Sequence, residues 1–391
     1  MRLIKVLFLC LFPSLLQAQV DLHAHLFMNE GLTWIFRGDF FDEHLSATSW
    51  KNLLSSQANP KTLNESDVQI MVASLYAAHP ILTPWGLKEA IRRQIAQAER
   101  FVRENPQWIL AKSPQETELA LAQGKRALIL SLEGASGILK TDQDLKEFFD
   151  LGIRIVTLLH LTDDEFGGCA LIGGFSGALV NFGPWFNSKK LWSDGKSIRA
   201  HSQGLTSEGL DFAKKLIQQK IWIDLSHTSD ESLKTLTPLL KEARQPFLYT
   251  HNALRKYAGV EREISLSQLQ DVKETGGLVG VLPSPRFLRG TPLPPHTPEG
   301  GIEAFVKHYN EIADIIGPEA TMIGSDFNGA IPHLKPSKDT GTSLDEKGLW
   351  HVGQSKELLM AMQKKGAKLP PPGHHIATFL KAWKRVVMDL Q

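Results

Sequence analysis

Eight short runs of apolar and β-branched residues recur along the chain, with amphipathic or loop-like segments between them. They begin at Gln19 (QVDLH), Val68 (VQIMVASLY), Arg126 (RALILSLEG), Ile153 (IRIVTLLH), Ile221 (IWIDLSH), Pro246 (PFLYTH), Gly277 (GLVGVLP) and Thr321 (TMIGSDF). Such runs are typical of strands buried in a parallel sheet, and the amphipathic segments are typical of the helices of βα units. Eight units in series predict one α/β domain, a closed (β/α)8 TIM barrel.

The segments between the runs are of two kinds. Some show a helical period, with apolar residues on one face at Ile91, Ile95, Ala98 and Phe101, and again at Leu210, Ala213, Leu216 and Ile217. Others are long and rich in Gly, Pro, Trp or Phe, and these cover residues 30–67, 171–204, 283–300 and 331–350. Because each long segment follows a strand, we expect them to be top-face loops that shape a substrate pocket.

The first 18 residues have the composition of a secretory signal peptide. A charged start with Arg2 and Lys5 precedes the apolar run VLFLCLFPSLL, which is too short to span a bilayer comfortably. We therefore predict cleavage after Ala18, a mature barrel domain of residues 19–391, a secreted or periplasmic location and no transmembrane span after processing. A lipid anchor on Cys10 is less favoured, because large residues precede that cysteine.

The net charge limits the kinds of partner that the protein can bind, and the cysteine content limits what can stabilise its fold. Loss of residues 1–18 removes two cationic side chains and takes the formal net charge from +1 to −1, so the mature protein offers no basic field for nucleic acid. A small-molecule partner is favoured instead. Only Cys169 survives processing, so no intrachain disulfide is available and the core alone must hold the fold.

Six of the eight predicted strands end in a residue that can bind metal or transfer a proton. They are His23 and His25, Glu133, His160, His227, His251 and Asp326. A barrel brings the carboxyl ends of its strands to one face. Imidazole and carboxylate groups are ligands of Zn²⁺, and two ions about 3.5 to 4 Å apart together lower the pKa of a shared water and polarise a carbonyl. The pattern therefore predicts a hydrolytic metal site.

Each of these residues also has an ordinary structural explanation when taken alone. A His-x-His pair occurs by chance, and Glu133 could cap a helix N-terminus. His227 and His251 could be core histidines bonded to backbone, and Asp326 could start a turn. Cys169 has no basic partner evident in the sequence, so we interpret it as a packing residue and not as a nucleophile. The shared position at strand ends is what favours the metal site.

The remaining histidines have no strand-end position, so most are expected at the surface or in loops. They are His44, His79, His201, His296, His308, His333, His351, His374 and His375. Those in the long loops, with His351 at the edge of one, remain candidates for the pocket.

Several segments together resemble the membrane (renal) dipeptidases, zinc peptidases of the amidohydrolase superfamily with a (β/α)8 barrel. The most specific is GLTSEGLDFAKKLIQQKIWIDLSHTSD, which is similar to the family block that ends at His227. YTHNALRKYAGVERE is similar to the family's strand-six histidine and following arginine, here His251 and Arg262. SLEGA, TLLH and IGSDFNG resemble the segments of the bridging glutamate, an active-site histidine and the strand-eight aspartate. The resemblance covers essentially the whole mature chain.

The resemblance implies a role for each of these residues. It implies two divalent ions, most simply Zn²⁺, with one ion on His23 and His25, the other on His227 and His251, and Glu133 bridging them. A bridging hydroxide would be the nucleophile, and Asp326 would take its proton and pass it to the leaving amine. His160 would stabilise the oxyanion, and Arg262, taken as an uncompensated positive charge near the two ions and so without an acidic partner, would bind the terminal carboxylate of a dipeptide. A homodimer is one option for assembly.

Two positions depart from the family pattern. The family has His-x-Asp on strand one where this chain has His23-Ala24-His25, which removes a negative charge from the ligand set and leaves metal identity and substrate open. Asn328 replaces the second aspartate of the family's GSDFDG, so a polar contact is expected to differ. The His-x-His start also keeps a second hypothesis, an amidohydrolase acting on acyl-amino acids or lactones. A third is a metal-binding or peptide-binding protein of the envelope with no catalytic activity, which the presence of Asp326 disfavours.

Overall fold

The computed structural model of the protein describes residues 19–31, 40–41, 57–77, 83, 85–173 and 181–388. The predicted signal segment lies outside these residues, and so do Cys10, His44 and His79. Within the described ranges, no helix has both the length and the apolar character needed to cross a bilayer.

Eleven strands are present in the described residues. They are β1 Gln19–Ala24, β2 Val68–Leu75, β3 Trp108–Leu110, β4 Arg126–Glu133, β5 Ile153–Thr157, β6 Ser188–Ser193, β7 Lys196–His201, β8 Trp222–Asp224, β9 Leu248–Asn252, β10 Leu278–Val281 and β11 Thr321–Ile323. Eight of them, all but β3, β6 and β7, form a closed parallel barrel, in which β2 pairs with β4 and β1 pairs with β11. Each of the eight predicted runs contains one barrel strand, so the predicted (β/α)8 fold is confirmed.

Helices cover the outside of the barrel and fill several of its loops. They are α1 Pro60–Glu65, α2 Leu87–Glu104, α3 Pro114–Ala122, α4 Asp142–Leu151, α5 Phe182–Phe186, α6 Ser207–Gln218, α7 Asp230–Glu242, α8 Arg255–Ala258, α9 Leu266–Thr275, α10 Pro285–Leu288, α11 Ile302–Ile316, α12 Leu344–Lys347, α13 Ser355–Lys364 and α14 His374–Val387. Short 3-10 turns span Met28–Gly31, Pro318–Ala320 and Val352–Gln354. Hydroxyl side chains start several helices by accepting a backbone N–H, as Thr206 does for α6 and Ser229 does for α7.

The predicted helical periodicity is confirmed in α2 and is less regular in α6. In α2 the four predicted apolar positions are all buried. In α6 the buried apolar positions are Phe212, Ala213 and Leu216, whereas Leu210 and Ile217 are only partly buried.

Two strand features were not predicted. Strand β3 pairs with the first three residues of β4, below the point where β5 pairs with the same strand. The hairpin of β6 and β7 lies inside residues 171–204, so the prediction that this whole segment is a loop was wrong. Its turn is Asp194-Gly195, with φ values of 51° and 78°. This dipeptide suits a two-residue hairpin turn because both positions need a positive φ.

The barrel interior is apolar in the part away from the carboxyl ends of the strands. One cluster of buried side chains includes residues from all eight barrel strands, among them Leu22, Ile129 and Trp222, together with Phe379 and Trp383 of α14. A cluster that reaches every strand of a closed sheet must fill its inside, so α14 covers the lower end of the barrel. A larger apolar cluster packs the helices against the outer faces of the strands.

Candidate active site

Bulges in two strands aim the histidines at the barrel axis. The pairing of β1 with β2 shifts register between Asp21 and Ala24, and the pairing of β9 with β10 shifts between Tyr249 and Asn252. A bulge inserts one residue and so changes which side chains face a given side of the sheet. In β1 and β9 the apolar side chains nearer the start of the strand are therefore followed by histidines at its carboxyl end, which are His23, His25 and His251.

The carboxylate of Glu133 lies at the centre of five imidazoles. Their Nε2 atoms lie within 3.6 Å of it, with His251 at 3.3 Å, His227 at 3.4 Å and His23 at 3.6 Å from Oε1, and His25 at 3.1 Å and His160 at 3.5 Å from Oε2. The structure therefore brings together all five predicted metal ligands, which we call the ligand layer (His23, His25, Glu133, His227 and His251). His160 lies at the edge of this layer.

The ligand layer divides into two histidine pairs. The Nε2 atoms of His23 and His25 are 3.3 Å apart, and those of His227 and His251 are 3.1 Å apart. Asp326 Oδ1 lies beside the first pair, 3.4 Å from His25 Nε2. Three sets of side chains in the described residues could each hold a metal ion. These are His23, His25 and Asp326; His23, Glu133 and His251; and Glu133, His160 and His227.

The hydrogen bonding of this centre fits a cation. Both oxygens of Glu133 and Oδ1 of Asp326 are buried and lack a hydrogen bond to any of the described residues. A buried carboxylate without a hydrogen bond or a positive charge is costly, so oxygens left in this state indicate a ligand site. Imidazole nitrogens and carboxylate oxygens at this spacing are the donor set of a divalent ion such as Zn²⁺. The residues present therefore fit the divalent metal ions that the sequence predicts.

Burial and the charges of neighbouring groups determine the protonation states of the histidines and carboxylates in the site. Burial lowers the pKa of His23 to about 3 and that of His160 to about 4, which leaves both rings in the neutral form that binds metal. Burial alone would raise the pKa of Glu133, but the surrounding imidazoles hold it well below its usual value. Burial raises the pKa of Asp326 to about 7, which suits a group that exchanges protons near neutral pH.

Asp326 lies on a loop that is fixed by hydrogen bonds between Asn328 and the backbone of Gln57 and Ala58. Its φ is 56°, a left-handed conformation that an Asp tolerates, and Asn328 follows with a φ of 61°. Asn328 Oδ1 accepts from the backbone N–H groups of Gln57 and Ala58, and its Nδ2 donates to the carbonyl of Ala58 at 2.8 Å. An aspartate has no proton for that last bond when ionised. Asn328 therefore makes a loop contact that an ionised aspartate could not make.

His333 supports the same loop. It is buried, and its Nε2 donates to the carbonyl of Ser325 at 2.6 Å while its Nδ1 accepts from Gln57. His201 at the end of β7 and His308 in α11 are also buried, so the expectation of surface or loop positions was wrong for these two, whereas His333 lies in a loop as expected. None of them belongs to the three metal-binding sets within the described residues.

Arg262 reaches the ligand layer from the side of His227. Its Nη2 lies 3.3 Å from His227 Nε2, and its Nη1 donates to the carbonyl of His251 at 2.6 Å. The expectation of an arginine with no acidic partner was wrong, because Nη1 is also 3.1 Å from Oε1 of the buried Glu263. The positive charge is thus partly balanced on one side of the guanidinium, and the other side faces the site.

Two further arginines, Arg286 and Arg289, lie near Arg262. The guanidinium groups of Arg262 and Arg286 lie 5.1 Å and 5.5 Å from the centre of the Phe287 ring. Arg286 donates to the carbonyl of Gly173 at 3.4 Å, and burial together with the charges of Arg289 and Arg262 lowers its pKa. This side of the site is therefore electropositive.

Tyr76 is a site residue that the sequence did not single out. Its ring packs edge-on against His160, with centroids 4.7 Å apart, and burial raises its pKa to about 12. Its position one residue after β2, on the same top face as the other site residues, was the signal that could have identified it. Cys169 is fully buried, and burial raises its pKa, as expected for a packing residue.

A layer of hydroxyl and carboxyl groups lies directly beneath the ligand layer. We call Thr157, Asp224 and Thr250 the support layer. Both threonine hydroxyls donate to Asp224 Oδ2 at 2.7 Å, and the backbone N–H groups of Ser226 and Thr250 donate to Oδ1 at 3.0 Å. All four donors end on one buried carboxylate.

Curated proteins similar to this chain include named dipeptidases. The dipeptidase ataJ of Aspergillus terreus is 24% identical over 306 residues, which cover 76% of this chain and 71% of that protein. An uncharacterised dipeptidase of Schizosaccharomyces pombe is 25% identical over 242 residues, covering 62% of this chain and 48% of its own length. The chain spans between 48% and 65% of the length of the first three curated relatives.

Solved structures share the fold. A metallopeptidase from Rhodobacter sphaeroides, liganded with a phosphinate mimic of the dipeptide L-Ala-D-Ala, has a TM-score of 0.68 and 18% identity, covering 94% of this chain and 99% of that one. The probable dipeptidase PvdM from Pseudomonas aeruginosa has a TM-score of 0.63 and 16% identity, covering 84% and 88%. A sequence model of the membrane dipeptidase family, peptidase family M19, matches residues 17–184 and 181–366. With its barrel, its histidine-rich centre and this match over most of its length, the chain belongs to the membrane dipeptidase family.

Proposed function

We propose that the protein is an exported dipeptidase that hydrolyses the amide bond of dipeptides with two zinc ions. The observation that carries the proposal is the arrangement around Glu133, where five imidazole nitrogens surround a buried carboxylate that has no hydrogen bond. Membership of the membrane dipeptidase family and the dipeptide mimic bound to the Rhodobacter structure support the same activity. Export rests on the composition of the first 18 residues.

The ligand layer would hold the ions. His23 and His25 would bind one, His227 and His251 the other, and the two oxygens of Glu133 would bridge them. When bound, such a pair lowers the pKa of a shared water to give a hydroxide nucleophile and polarises the substrate carbonyl. His25 takes the place of the family's aspartate with its Nε2 3.1 Å from Glu133 and 3.4 Å from Asp326, which supports a ligand role in spite of the change of residue type.

Asp326 would transfer the proton. Its Oδ1 has no hydrogen bond and faces the histidine pair of the first ion, so it can accept a proton from the attacking water and donate it to the leaving amine. Its buried surroundings raise its pKa towards neutrality, which allows both steps at one pH.

His160 and Arg262 would bind the substrate. His160 lies beside Glu133 at the edge of the ligand layer, where it can donate to the oxyanion that forms on the carbonyl. Arg262 offers Nη2 to a carboxylate while Glu263 and a backbone carbonyl hold Nη1 in place. The positive charges of Arg286 and Arg289 farther out favour a substrate with a free terminal carboxylate.

The test is an assay of the metal-loaded protein on matched pairs of substrates. Ala-Ala, its C-terminal amide and N-acetyl-alanine carry the same side chain but differ in the free amine and carboxylate. The proposal expects hydrolysis of Ala-Ala well above that of the other two, with about two ions per chain by metal analysis. Preferential hydrolysis of N-acetyl-alanine would favour the acyl-amino acid alternative. Tight metal binding with no hydrolysis of any amide would favour a metal-binding protein without catalytic activity.

A further inference from the structure

One hydroxyl group beneath the ligand layer touches a histidine from each of the two pairs. Thr250 Oγ1 lies 3.2 Å from His23 Nδ1 and 2.9 Å from His251 Nδ1. The two rings stack on each other with their centroids 3.8 Å apart, so a single group can reach both. Thr250, His23 and His251 are each 1% exposed, so bulk solvent does not reach this contact.

The protons of this contact can be assigned by counting donors and acceptors. A threonine hydroxyl has one proton and two acceptor positions. Its proton goes to Asp224 Oδ2 at 2.7 Å. Asp224 already accepts from the hydroxyl of Thr157 and from two backbone N–H groups, so it acts only as an acceptor. Ser226 Oγ also lies 3.3 Å from Thr250 Oγ1, but its proton goes to Asn252 Oδ1 at 3.1 Å. The two remaining positions on Thr250 Oγ1 are then filled by N–H groups of His23 and His251.

We propose that Thr250 is a positioning residue that fixes the tautomer and the orientation of one histidine for each metal ion. With the proton on Nδ1 of both rings, both Nε2 atoms carry a free lone pair. These atoms lie 3.6 Å and 3.3 Å from the same oxygen of Glu133, at the centre of the site. The inference rests on the proposed metal site, because it gives the Nε2 lone pairs a ligand to bind.

The arrangement couples the two ions through one side chain. His23 belongs to the pair of the first ion and His251 to the pair of the second. By contrast, Nδ1 of His227 is buried without a hydrogen bond among the described residues, which give that ring no such anchor. Removal of the Thr250 hydroxyl should therefore weaken both ions together, and outer hydrogen bonds of this kind are commonly worth about 10- to 100-fold in metal affinity.

Thr157 provides a matched control. Its hydroxyl donates to the same oxygen of Asp224 at the same distance of 2.7 Å, and it is equally buried, but no hydrogen bond joins it to a histidine. Thr157→Val and Thr250→Val thus remove the same bond to Asp224, and only the second also removes the contact with the imidazoles. Thr250→Ser keeps the hydroxyl and serves as the rescue variant.

The experiment is a titration of the metal-stripped proteins with Zn²⁺ in competition with a chromophoric chelator. Thr250→Val should raise the dissociation constants of both ions by about 10- to 100-fold, while Thr157→Val and Thr250→Ser should stay within about threefold of the parent protein. Equal weakening in Thr157→Val would show a structural effect of the support layer and overturn the proposal. So would loss of one ion only in Thr250→Val.

A second measurement does not depend on the folding of a Thr250 variant or on metal binding. Nitrogen-15 spectra of the metal-free parent protein report the tautomer of each imidazole, with His23 and His251 assigned from the signals lost in His23→Gln and His251→Gln. The proposal expects the proton on Nδ1 in both rings, and a proton on Nε2 of either ring would overturn it. Absence of Zn²⁺ binding by the parent protein would instead contradict the proposed function, and the tautomers would still test the role of Thr250.

Discussion

The ligand layer and the support layer are neighbours inside the same barrel, and both are buried and polar, yet their hydrogen bonding is opposite. In the ligand layer both oxygens of Glu133 lack hydrogen bonds. In the support layer Asp224 accepts four, two from hydroxyls and two from the backbone. Unsatisfied buried polar groups are costly, and of these two carboxylates only that of the ligand layer is left without hydrogen bonds in the part of the chain that the structure describes.

The difference separates groups that would bind a ligand from groups that stabilise the fold. The Glu133 carboxylate contributes little to the stability of the metal-free protein, since its neighbours are other ligand atoms. A side chain of the support layer contributes hydrogen bonds whether or not metal is present. Stability of the metal-free chain and metal content should therefore respond differently to the loss of the Glu133 carboxylate and to the loss of the Asp224 carboxylate.

The largest effect is expected for Glu133→Gln, because this residue alone would bridge both ions. The variant should lose most of its bound metal and its activity, since an amide has one neutral acceptor where two charged oxygens are needed. Its free energy of unfolding without metal should change little, because removal of a buried charge is offset by loss of the attraction to the imidazoles that lowers the pKa of Glu133. Metal analysis and urea unfolding check the two statements, with Glu99→Gln on the exposed face of α2 as the control. Full metal content in Glu133→Gln would contradict the assignment of the ligand layer.

Asp326→Asn tests the chemistry at the edge of the ligand layer. Asparagine tolerates the left-handed backbone at this position, so the loop should keep its shape. A group that transfers a proton in the transition state is usually worth about 10² to 10⁴ in rate, so kcat should fall by that factor with little change in metal content. Steady-state kinetics on Ala-Ala with the metal-loaded variant provide the measurement, and Asp211→Asn on the surface of α6 is the control. Unchanged kcat would remove the proposed role of Asp326.

Arg262→Ala tests the substrate side of the site. Loss of a hydrogen bond to a charged group costs about 1.5 to 3 kcal/mol, so KM for dipeptides with a free carboxylate should rise by about 10- to 100-fold. The C-terminal amides should be affected much less, because they form no ion pair. Parallel kinetics on a dipeptide and its amide give the comparison. An equal rise of KM on both substrates would mean that Arg262 acts through His227 or Glu263 and not on the carboxylate.

The smallest effect is expected for Asp224→Asn, in the support layer. The amide would place a donor among four donors, so the free energy of unfolding of the metal-free protein should fall by about 1 to 3 kcal/mol. Urea unfolding of the metal-free proteins, side by side with Glu133→Gln, shows whether the two layers respond differently. A larger loss of stability in Glu133→Gln than in Asp224→Asn would reverse the distinction between them.

The strand-end residues were predictable from the sequence because a parallel barrel converts sequence position into spatial position. A buried strand is visible as an apolar run, and the first polar residue after it lies on the top face whatever the intervening helix and loop contain. This reasoning identified His160, His227 and Asp326, each of which lies three residues beyond the last residue of its strand. The contacts among those residues support that convergence, while their roles remain proposals.

Other features depend on pairings that no single run of residues shows. The bulge that aims His251 is a relation between β9 and β10, and the pairing of Arg262 with Glu263 depends on the path of a loop. Thr250 and Asp224 lie 26 residues apart and look like ordinary strand residues. The hairpin is different, since Asp194-Gly195 between two alternating segments was a readable signal.

The pairing of β1 with β11, which closes the barrel, affects when the site forms during folding. Asp21 of β1 pairs with Ile323 of β11, 302 positions later in the sequence, and this pairing brings His23 beside Asp326. Contacts between such distant parts of a chain form late, because the entropy of closing the long loop must be overcome first. We therefore expect high-affinity metal uptake to appear only in the last step of refolding, and a partly folded barrel to remain without the complete site.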